Sequence, residues 1–117
     1  MEIHLFDKDQ NPEVFAAGAL VFNEGDAGTE MFAVLEGAVD LTIRGRRVEV
    51  VTKGGVFGEM ALVDNNPRAA TATVTADARL VRIDRRRFQF LVQQNPFFAL
   101  QLMTVMAERL RRAAQPA

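Results

Sequence analysis

Short apolar runs separated by turn residues occupy most of the first 84 positions, and this pattern constrains the fold more than any other feature. Glycine, asparagine or aspartate stands between successive runs, and several runs alternate apolar and polar side chains with a period of two. Runs spaced this closely are typical of an antiparallel sandwich or barrel. The strands predicted in this way cover residues 13–16, 19–23, 31–35, 38–44, 46–52, 70–76 and 79–84.

The clearest predicted hairpin has its turn at residues 44–46, because alternating apolar residues at 39–43 and 48–50 flank a glycine there. Residues 1–12 are polar without a clear period, so we expect a loose or short helical lead-in. Neither a repeat nor a linker interrupts the remainder, and we assign residues 13–117 to a single domain.

The last third of the chain is predicted to be helical. Asp84 is a suitable N-cap for a helix over about residues 85–94, whose apolar positions follow the i, i+3, i+4 rule. Asn95 and Pro96 then end that helix and begin another, over about residues 96–113, with proline at the first helical position. The second helix is apolar around most of its circumference, so we expect something besides the barrel to cover part of it.

Composition excludes many classes of enzyme. A chain of 117 residues with 49% hydrophobic and 25% charged residues is one ordinary globular domain. With no cysteine and one histidine, His4, it lacks the ligands of disulfide, iron–sulfur, haem and thiolate-zinc sites and the spare histidines of a hydrolase. We expect no metal site and no enzymatic activity. The apolar runs are too short for a membrane span and residues 1–10 are too charged for a signal peptide, which favours a cytoplasmic protein.

The charge balance argues against nucleic acid as a partner. Fourteen basic residues against 15 acidic ones give a formal net charge of -1. The arginines at positions 82 and 85–87 are interpreted as a solvated face. The chain ends five residues after Arg112, and we expect no helix-turn-helix beyond that point.

Residues 54–72 form the segment in which binding chemistry is most readily recognised. Glycines precede a predicted short helix over residues 58–63, and such helix starts leave backbone N–H groups free to bind an anion. Arg68 follows where its guanidinium would bind the same anion through two parallel hydrogen bonds. Glu59 repels an anion but accepts hydrogen bonds, so it indicates a ligand with hydroxyls. The predicted ligand is a sugar phosphate or a nucleotide.

Both charged residues also have a purely structural interpretation. Glu59 is placed to cap the short helix, because an acid near a helix N-terminus is stabilising without any ligand. Arg68 is a candidate for a structural ion pair, with Glu59 itself as the partner when no ligand is bound. These roles are compatible with ligand binding.

Two segments, four residues apart, resemble the phosphate-binding cassette of the cyclic nucleotide-binding domain family: Phe57-Gly58-Glu59-Met60-Ala61-Leu62 and Pro67-Arg68-Ala69-Ala70-Thr71. That family includes protein kinase A regulatory subunits, cyclic-nucleotide-gated channels and catabolite activator proteins. The chain also resembles the glycine framework of that family, at Phe15-x-x-Gly18, Gly25-Asp26 and residues 31–37. The resemblance covers about residues 13–112. It implies an antiparallel, jelly-roll-like β-roll barrel over about 13–84 with a short cassette helix, followed by a hinge helix (85–94) and a lid helix (96–113).

The resemblance also implies roles for individual residues. Glu59 would accept a hydrogen bond from the ribose 2′-hydroxyl, and Arg68 would pair with the exocyclic oxygens of the cyclic phosphate. Ala69 lacks the threonine hydroxyl common at this position in cGMP-selective members, so cAMP is the expected ligand and cGMP a weaker alternative. The implied ligand-binding residues are Phe57, Gly58, Glu59, Met60, Ala61, Arg68, Ala69 and Ala70, with Met103 and Met106 as lid candidates and no catalytic, cofactor-binding or metal-binding residue.

By resemblance, we expect a stand-alone cAMP-binding sensor that changes conformation on binding. It would signal to a protein partner or to a second copy through its C-terminal helix. Two alternatives stay open: the ligand-binding domain of a larger cAMP-gated channel or kinase-type protein, and a scaffold that keeps the fold without binding. A phosphoesterase-like enzyme is disfavoured, because no metal ligands or general base accompany Arg68.

Overall fold

The computed structural model describes residues 1–115, in which six strands and a short helix precede two longer helices. The strands are β1 (Glu13–Phe15), β2 (Leu20–Phe22), β3 (Glu30–Ile43), β4 (Arg46–Thr52), β5 (Val56–Phe57) and β6 (Thr71–Asp84). The helices are α1 (Met60–Asp64), α2 (Arg85–Gln94) and α3 (Pro96–Ala113). The last two residues of the predicted 13–117 domain lie outside the described residues.

The strands form one antiparallel sheet with the order β1-β6-β3-β4, in which β2 also pairs with β6 and β5 with β3. The two long strands, β3 and β6, pair from Glu30 opposite Asp84 to Thr42 opposite Thr71. The prediction of an antiparallel β-roll followed by helices is confirmed. The roll is open rather than a closed barrel, because no strand pairing within residues 1–115 joins β1 to β4.

β3 and β6 each replace two of the predicted short strands. Gly37, read as a turn residue, lies inside β3 with a φ of 90°, and a Cβ there would come within 2.4 Å of the Asp77 carbonyl oxygen of β6. The register between the two strands shifts at this point, between Val34 and Val39. The predicted strand breaks are therefore wrong, because the glycine bends a continuous strand at an irregularity instead of reversing the chain.

Alternation along β3 supplies two apolar cores, one on each face of the sheet. Phe32 and Val34 belong to the cluster inside the roll, with buried residues of β4, β5 and β6. Met31 and Ala33 belong to the other cluster, which α1, α2 and α3 cover. The sheet therefore separates the interior of the roll from a second core beneath the helices.

The N-terminal lead-in is a loop with turns rather than a helix. The Ile3 N–H donates to the Gly54 carbonyl at 2.7 Å, which fixes the loop against the sheet. Phe6 is fully buried and meets Phe98 of α3 edge to face, with 5.8 Å between the ring centroids. Residues 1–12 therefore form neither the short helix nor the loose segment that the sequence suggested, but a loop packed against the sheet and α3.

The predicted hairpin joins β3 to β4 through a two-residue loop, Arg44-Gly45. Both residues have positive φ, 52° and 77°, which is the type I′ geometry that matches the twist of paired strands. The Glu24 carboxylate accepts from the Arg44 N–H at 2.8 Å and helps to hold this conformation.

Asp84 and Asn95 cap the two C-terminal helices as predicted. Asp84 Oδ1 accepts from the Arg87 N–H at 2.8 Å. Asn95 Oδ1 accepts from the Phe98 N–H at 3.1 Å, and Pro96 starts α3. The two helices begin and end within the expected ranges because these caps are encoded locally.

One face of α3 packs on the chain's own sheet through Phe98, Leu102 and Val105, which are all buried. The expectation that α3 needs an external cover is therefore wrong for this face. Leu100 and Met103 remain exposed on another face. None of the helices in residues 1–115 combines the length and the apolar character that a membrane crossing requires.

Candidate functional site

β5 and α1 place Glu59 at the start of the cassette helix, with only 2% of the residue exposed. Gly58 precedes it with a φ of 82°, and a Cβ there would lie 2.7 Å from Nη1 of Arg68, so this turn requires glycine. Glu59 Oε2 accepts from the Met60 N–H at 3.1 Å and makes Glu59 the N-cap of α1. The predicted capping role is confirmed.

Two backbone carbonyls hold the guanidinium of Arg68, which lies in the loop between α1 and β6. Nη1 donates to the Gly58 carbonyl at 2.8 Å and Nη2 to the Glu30 carbonyl at 2.6 Å. The Cζ atom lies 4.0 Å from the ring centroid of Phe22, in a cation–π contact. A guanidinium has five N–H donors, and the buried Nε–H has no protein partner within the described residues. Arg68 is thus fixed in place with donors to spare.

The positive charge of Arg68 is buried and only partly balanced by nearby negative charges. Only 7% of the residue is exposed, and this burial lowers the pKa of Arg68, an effect that the Glu30 and Asp26 carboxylates oppose. Its two short hydrogen bonds go to neutral carbonyls, and in residues 1–115 no ion pair to a carboxylate accompanies them. A buried cation held in this way favours an anion as its partner.

A cavity of about 790 Å³ opens beside Arg68 and Glu59. The hairpin between β3 and β4 gives it an apolar wall that includes Leu41, Ile43 and Val48. The C-terminal half of α3 lines another side. A cavity of this size suits a small organic ligand. The Arg68 guanidinium and the apolar side chains of the hairpin together suit a ligand that combines an anionic group with an apolar part.

Most of the predicted ligand-binding residues meet at this cavity. Those that line it are Gly58, Glu59, Met60, Ala61, Arg68, Ala69 and Ala70. Phe57 does not line it, because its ring is buried inside the roll and stacks on Phe32 with 5.2 Å between the centroids.

Met103 and Met106 do not line the cavity either. Because α3 turns Leu102 and Val105 towards the sheet, Met103 points to solvent and is 56% exposed. Met106 packs against the core beneath the helices. In this structure neither methionine contacts the cavity, and their role as lid residues stays a prediction.

The α3 residue that reaches the cassette is Arg109. Its Nη1 donates to Oε1 of Glu59, so the predicted ion pair between Arg68 and Glu59 is wrong, and Arg109 is the partner of that carboxylate. Glu49 of β4 accepts from Nε of Arg109 at 2.9 Å and from Nη2 at 3.0 Å. The Val56 carbonyl accepts from Nη2 at 2.6 Å. Arg109 therefore joins α3 to both β4 and the cassette.

The spacing of residues along α3 indicates a role for Arg109, although its residue type alone does not. Arg109 follows Leu102 by seven residues and Val105 by four, so it continues the buried face of α3. A single arginine on an otherwise apolar helix face indicates a buried acceptor opposite it.

Glu49 anchors the C-terminal part of α3. Its Oε1 also accepts from Nη1 of Arg112 at 2.9 Å. Burial raises the pKa of Glu49, but the hydrogen bonds and charges of Arg109 and Arg112 outweigh burial and hold this pKa below its ordinary value. Glu49 is therefore ionised at neutral pH and ties α3 to the hairpin.

Gly28 is a second residue that the sequence pattern did not single out. A Cβ at this position would lie 2.4 Å from the Cβ of Ala61 and 3.0 Å from Nε of Arg68. The loop between β2 and β3 thus passes too close to the cassette for any side chain. No sequence signal separates this glycine from those that serve turns.

The family model described as "Cyclic nucleotide-binding domain" matches residues 12–95 of the chain. The chain is 32% identical over 110 residues to a CRP-like cAMP-activated global transcriptional regulator of Mycobacterium tuberculosis, across 90% of this chain and 49% of the regulator. It is 33% identical over 98 residues to a cyclic nucleotide-gated potassium channel of Rhizobium etli, across 84% of this chain and 27% of the channel.

Among solved structures, the chain is similar to the catabolite activator protein of Thermus thermophilus, with a TM-score of 0.79 and 31% identity. That similarity covers 88% of this chain and 51% of the activator protein. The chain spans about half the length of the two regulators and a smaller part of the channel.

Proposed function

Because the chain belongs to the cyclic nucleotide-binding domain family, we propose that its cavity binds cAMP, with cGMP as a weaker ligand, and that the chain acts as a regulatory sensor. One observation carries the proposal: a buried guanidinium with unused donors and a buried carboxylate line the same cavity. A cyclic nucleotide supplies what both groups need, an anion for the first and a hydroxyl for the second.

The cyclic phosphate is assigned to Arg68. Since carbonyl oxygens already fix the guanidinium, its remaining N–H donors would bind the exocyclic phosphate oxygens with little further ordering of the side chain. Backbone N–H groups near Gly58, Ala61 and Ala69 would complete the cradle. The small side chains at positions 61 and 69 let the phosphate approach the backbone closely.

The ribose 2′-hydroxyl is assigned to Glu59. Glu59 is 2% exposed, so its carboxylate has lost most of its hydrogen bonds to water. A hydroxyl donor from the ligand would supply a hydrogen bond in their place. Phosphate and hydroxyl contacts made together orient the sugar and direct the base towards the apolar wall formed by Leu41, Ile43 and Val48.

The preference for cAMP rests on Ala69. Its methyl side chain at the cavity cannot accept or donate a hydrogen bond to the guanine amino group. A hydroxyl contact at that position is worth about 0.5 to 1.5 kcal/mol, so we expect roughly a tenfold preference for cAMP rather than exclusion of cGMP.

The output of binding is assigned to α3. Arg109 and Leu110 of this helix line the cavity. A ligand that contacts them would therefore stabilise one position of the helix relative to the others. Helix α2, which connects the sheet to α3, would act as the hinge. Binding is thereby converted into a change of the surface that α3 presents.

That surface favours a second copy of this chain as the partner. The exposed apolar residues of α3 include Leu100, Met103, Ala107 and Leu110, which are spaced by three, four and three residues. This is the a/d spacing of a coiled-coil seam, and it lies on a different face from the residues that pack on the sheet. A different protein partner is the alternative occupant.

The length of the relatives supports a second candidate role. Because the chain spans 49% of the Mycobacterium tuberculosis regulator and 27% of the Rhizobium etli channel, the sequence also fits the ligand-binding domain of a larger cAMP-responsive protein. In that role the binding proposal is unchanged and the output belongs to another domain. A scaffold that keeps the fold without binding is the third alternative.

Calorimetric titration of the chain with cAMP, and separately with cGMP, tests the ligand assignment; the absence of tryptophan and tyrosine makes intrinsic fluorescence unsuitable. We expect micromolar or tighter binding of cAMP and roughly tenfold weaker binding of cGMP. Equal or tighter binding of cGMP would overturn the selectivity. The absence of heat and of thermal stabilisation with either nucleotide would favour the scaffold.

A further inference from the structure

We propose that Arg109 is a positioning residue: it holds Glu59 in the orientation that binds the ribose 2′-hydroxyl and so makes hydroxyl recognition depend on the position of α3. The inference rests on the proposed nucleotide binding. It concerns a residue 50 positions from Glu59 in the sequence that lies on the lid helix rather than in the cassette.

The hydrogen-bonding capacity of the Glu59 carboxylate is sufficient for Arg109 and a hydroxyl at the same time. Oε1 accepts from Arg109 and Oε2 accepts from the Met60 N–H at 3.1 Å. An ionised carboxylate has about four lone-pair sites, so each oxygen retains capacity for one more donor. The hydroxyl does not need to displace Arg109, and the two contacts reinforce each other because both favour the ionised carboxylate in one rotamer.

Burial makes Glu59 depend on this cation. A carboxylate that is 2% exposed is costly to keep charged without a partner. The guanidinium of Arg68, which also lines the cavity, is directed to the carbonyls of Gly58 and Glu30. In the described part of the chain, Arg109 is the salt-bridge partner of Glu59. Loss of Arg109 would therefore free the carboxylate to rotate away from this orientation.

Arg109 is itself held rigidly enough to position another group. Its Nε and Nη2 make a two-point contact with Glu49, and Nη2 also donates to the Val56 carbonyl. Its side chain is 13% exposed. These contacts leave Nη1 for Glu59, so the guanidinium transmits the position of α3 directly to the hydroxyl-binding carboxylate.

The test compares the affinities for cAMP and 2′-deoxy-cAMP, measured by calorimetry in the wild-type chain and in three variants. Arg109→Gln removes the charge, Arg109→Lys keeps a charge but loses the two-point contact, and Arg111→Gln is the matched control. Arg111 lies on the same helix, is exposed and does not line the cavity. Circular dichroism establishes that each variant is folded.

We expect the wild-type chain and Arg111→Gln to bind cAMP roughly 10- to 100-fold more tightly than 2′-deoxy-cAMP. In Arg109→Gln this ratio should fall below about threefold, and Arg109→Lys should be intermediate. A purely structural role would weaken both ligands equally and leave the ratio unchanged. If Arg109→Gln does not fold, the ratio in Arg109→Lys decides the question.

An unchanged ratio in the folded Arg109 variants would overturn the inference while the nucleotide site stands. A wild-type chain that binds both ligands equally would also overturn it, because Glu59 would then not bind the hydroxyl. A wild-type chain that binds neither ligand would overturn the proposed function itself, and the inference with it.

Discussion

Gly28→Ala is a substitution for which backbone conformation and side-chain packing predict opposite effects on stability. The φ of Gly28 lies outside the left-handed region that favours glycine, so the backbone tolerates alanine. On backbone grounds alone, such a change stabilises a protein by about 0.4 to 1 kcal/mol, because it restricts the unfolded chain. Packing predicts the opposite result, since the new Cβ would lie 2.4 Å from the Cβ of Ala61.

The size of the destabilisation follows from how far the two overlapping carbon atoms must move apart. Carbon atoms in contact lie about 3.5 to 4.0 Å apart, so α1 and the β2–β3 loop would have to separate by roughly 1.1 to 1.6 Å. Overpacking of this kind costs about 1 to 3 kcal/mol. The same movement disturbs Arg68, whose Nε would be 3.0 Å from the new Cβ. We therefore expect a net loss of stability together with weaker cAMP binding.

Guanidinium chloride unfolding of four chains tests this reasoning: wild type, Gly28→Ala, Ala61→Gly and the double variant. Ala61→Gly removes the methyl group that the new Cβ would meet, so the double variant should recover at least about 1 kcal/mol relative to additivity. A neutral or stabilising Gly28→Ala, or full additivity in the double variant, would refute the close-approach interpretation.

Two further predictions concern α3 and its contacts. The pKa of Glu49 is held below its ordinary value of 4.5, so its pairing stabilises the fold above that pH and is lost as the pH falls through the folded-state value. The thermal midpoint of the wild-type chain should therefore fall more steeply below pH 4.5 than that of Glu49→Gln, and parallel curves would contradict this. Sedimentation equilibrium should show a dimer that Leu100→Glu disrupts and the exposed control Val14→Glu does not. A wild-type chain that is monomeric at all concentrations would contradict the second-copy assignment.

Local signals in the sequence were sufficient for the helices and the hairpin. The caps Asp84 and Asn95 and the loop Arg44-Gly45 act over three or four residues, and the structure places them as predicted. The number of strands was not predictable in this way. A glycine with positive φ serves a turn or a bend equally well, and only the partner strand determines that Gly37 bends β3.

The candidate site was predictable where its residues are adjacent in sequence and not where they meet only in the fold. Glu59 and Arg68 lie in one segment with recognisable spacing, and both line the cavity. Arg109 lies 50 residues from Glu59 in the sequence. Its contact with Glu59 depends on the rotation of α3 about its axis, which the burial of Leu102 and Val105 determines. The same rotation turned Met103 away from the cavity. Long-range packing, rather than local propensity, determines which lid residue meets the cassette.

The central claim is that Arg68 binds the phosphate of a cyclic nucleotide in this cavity. Calorimetric titration of cAMP into the wild-type chain, Arg68→Ala and Arg79→Ala tests it most directly, because Arg79 is a surface arginine that pairs with Glu36 and does not line the cavity. We predict that Arg68→Ala loses at least about 2 kcal/mol of binding free energy, roughly 30-fold in affinity, while Arg79→Ala binds as the wild-type chain does. An Arg68→Ala variant that is folded and binds cAMP within about threefold of the wild-type chain would contradict the claim.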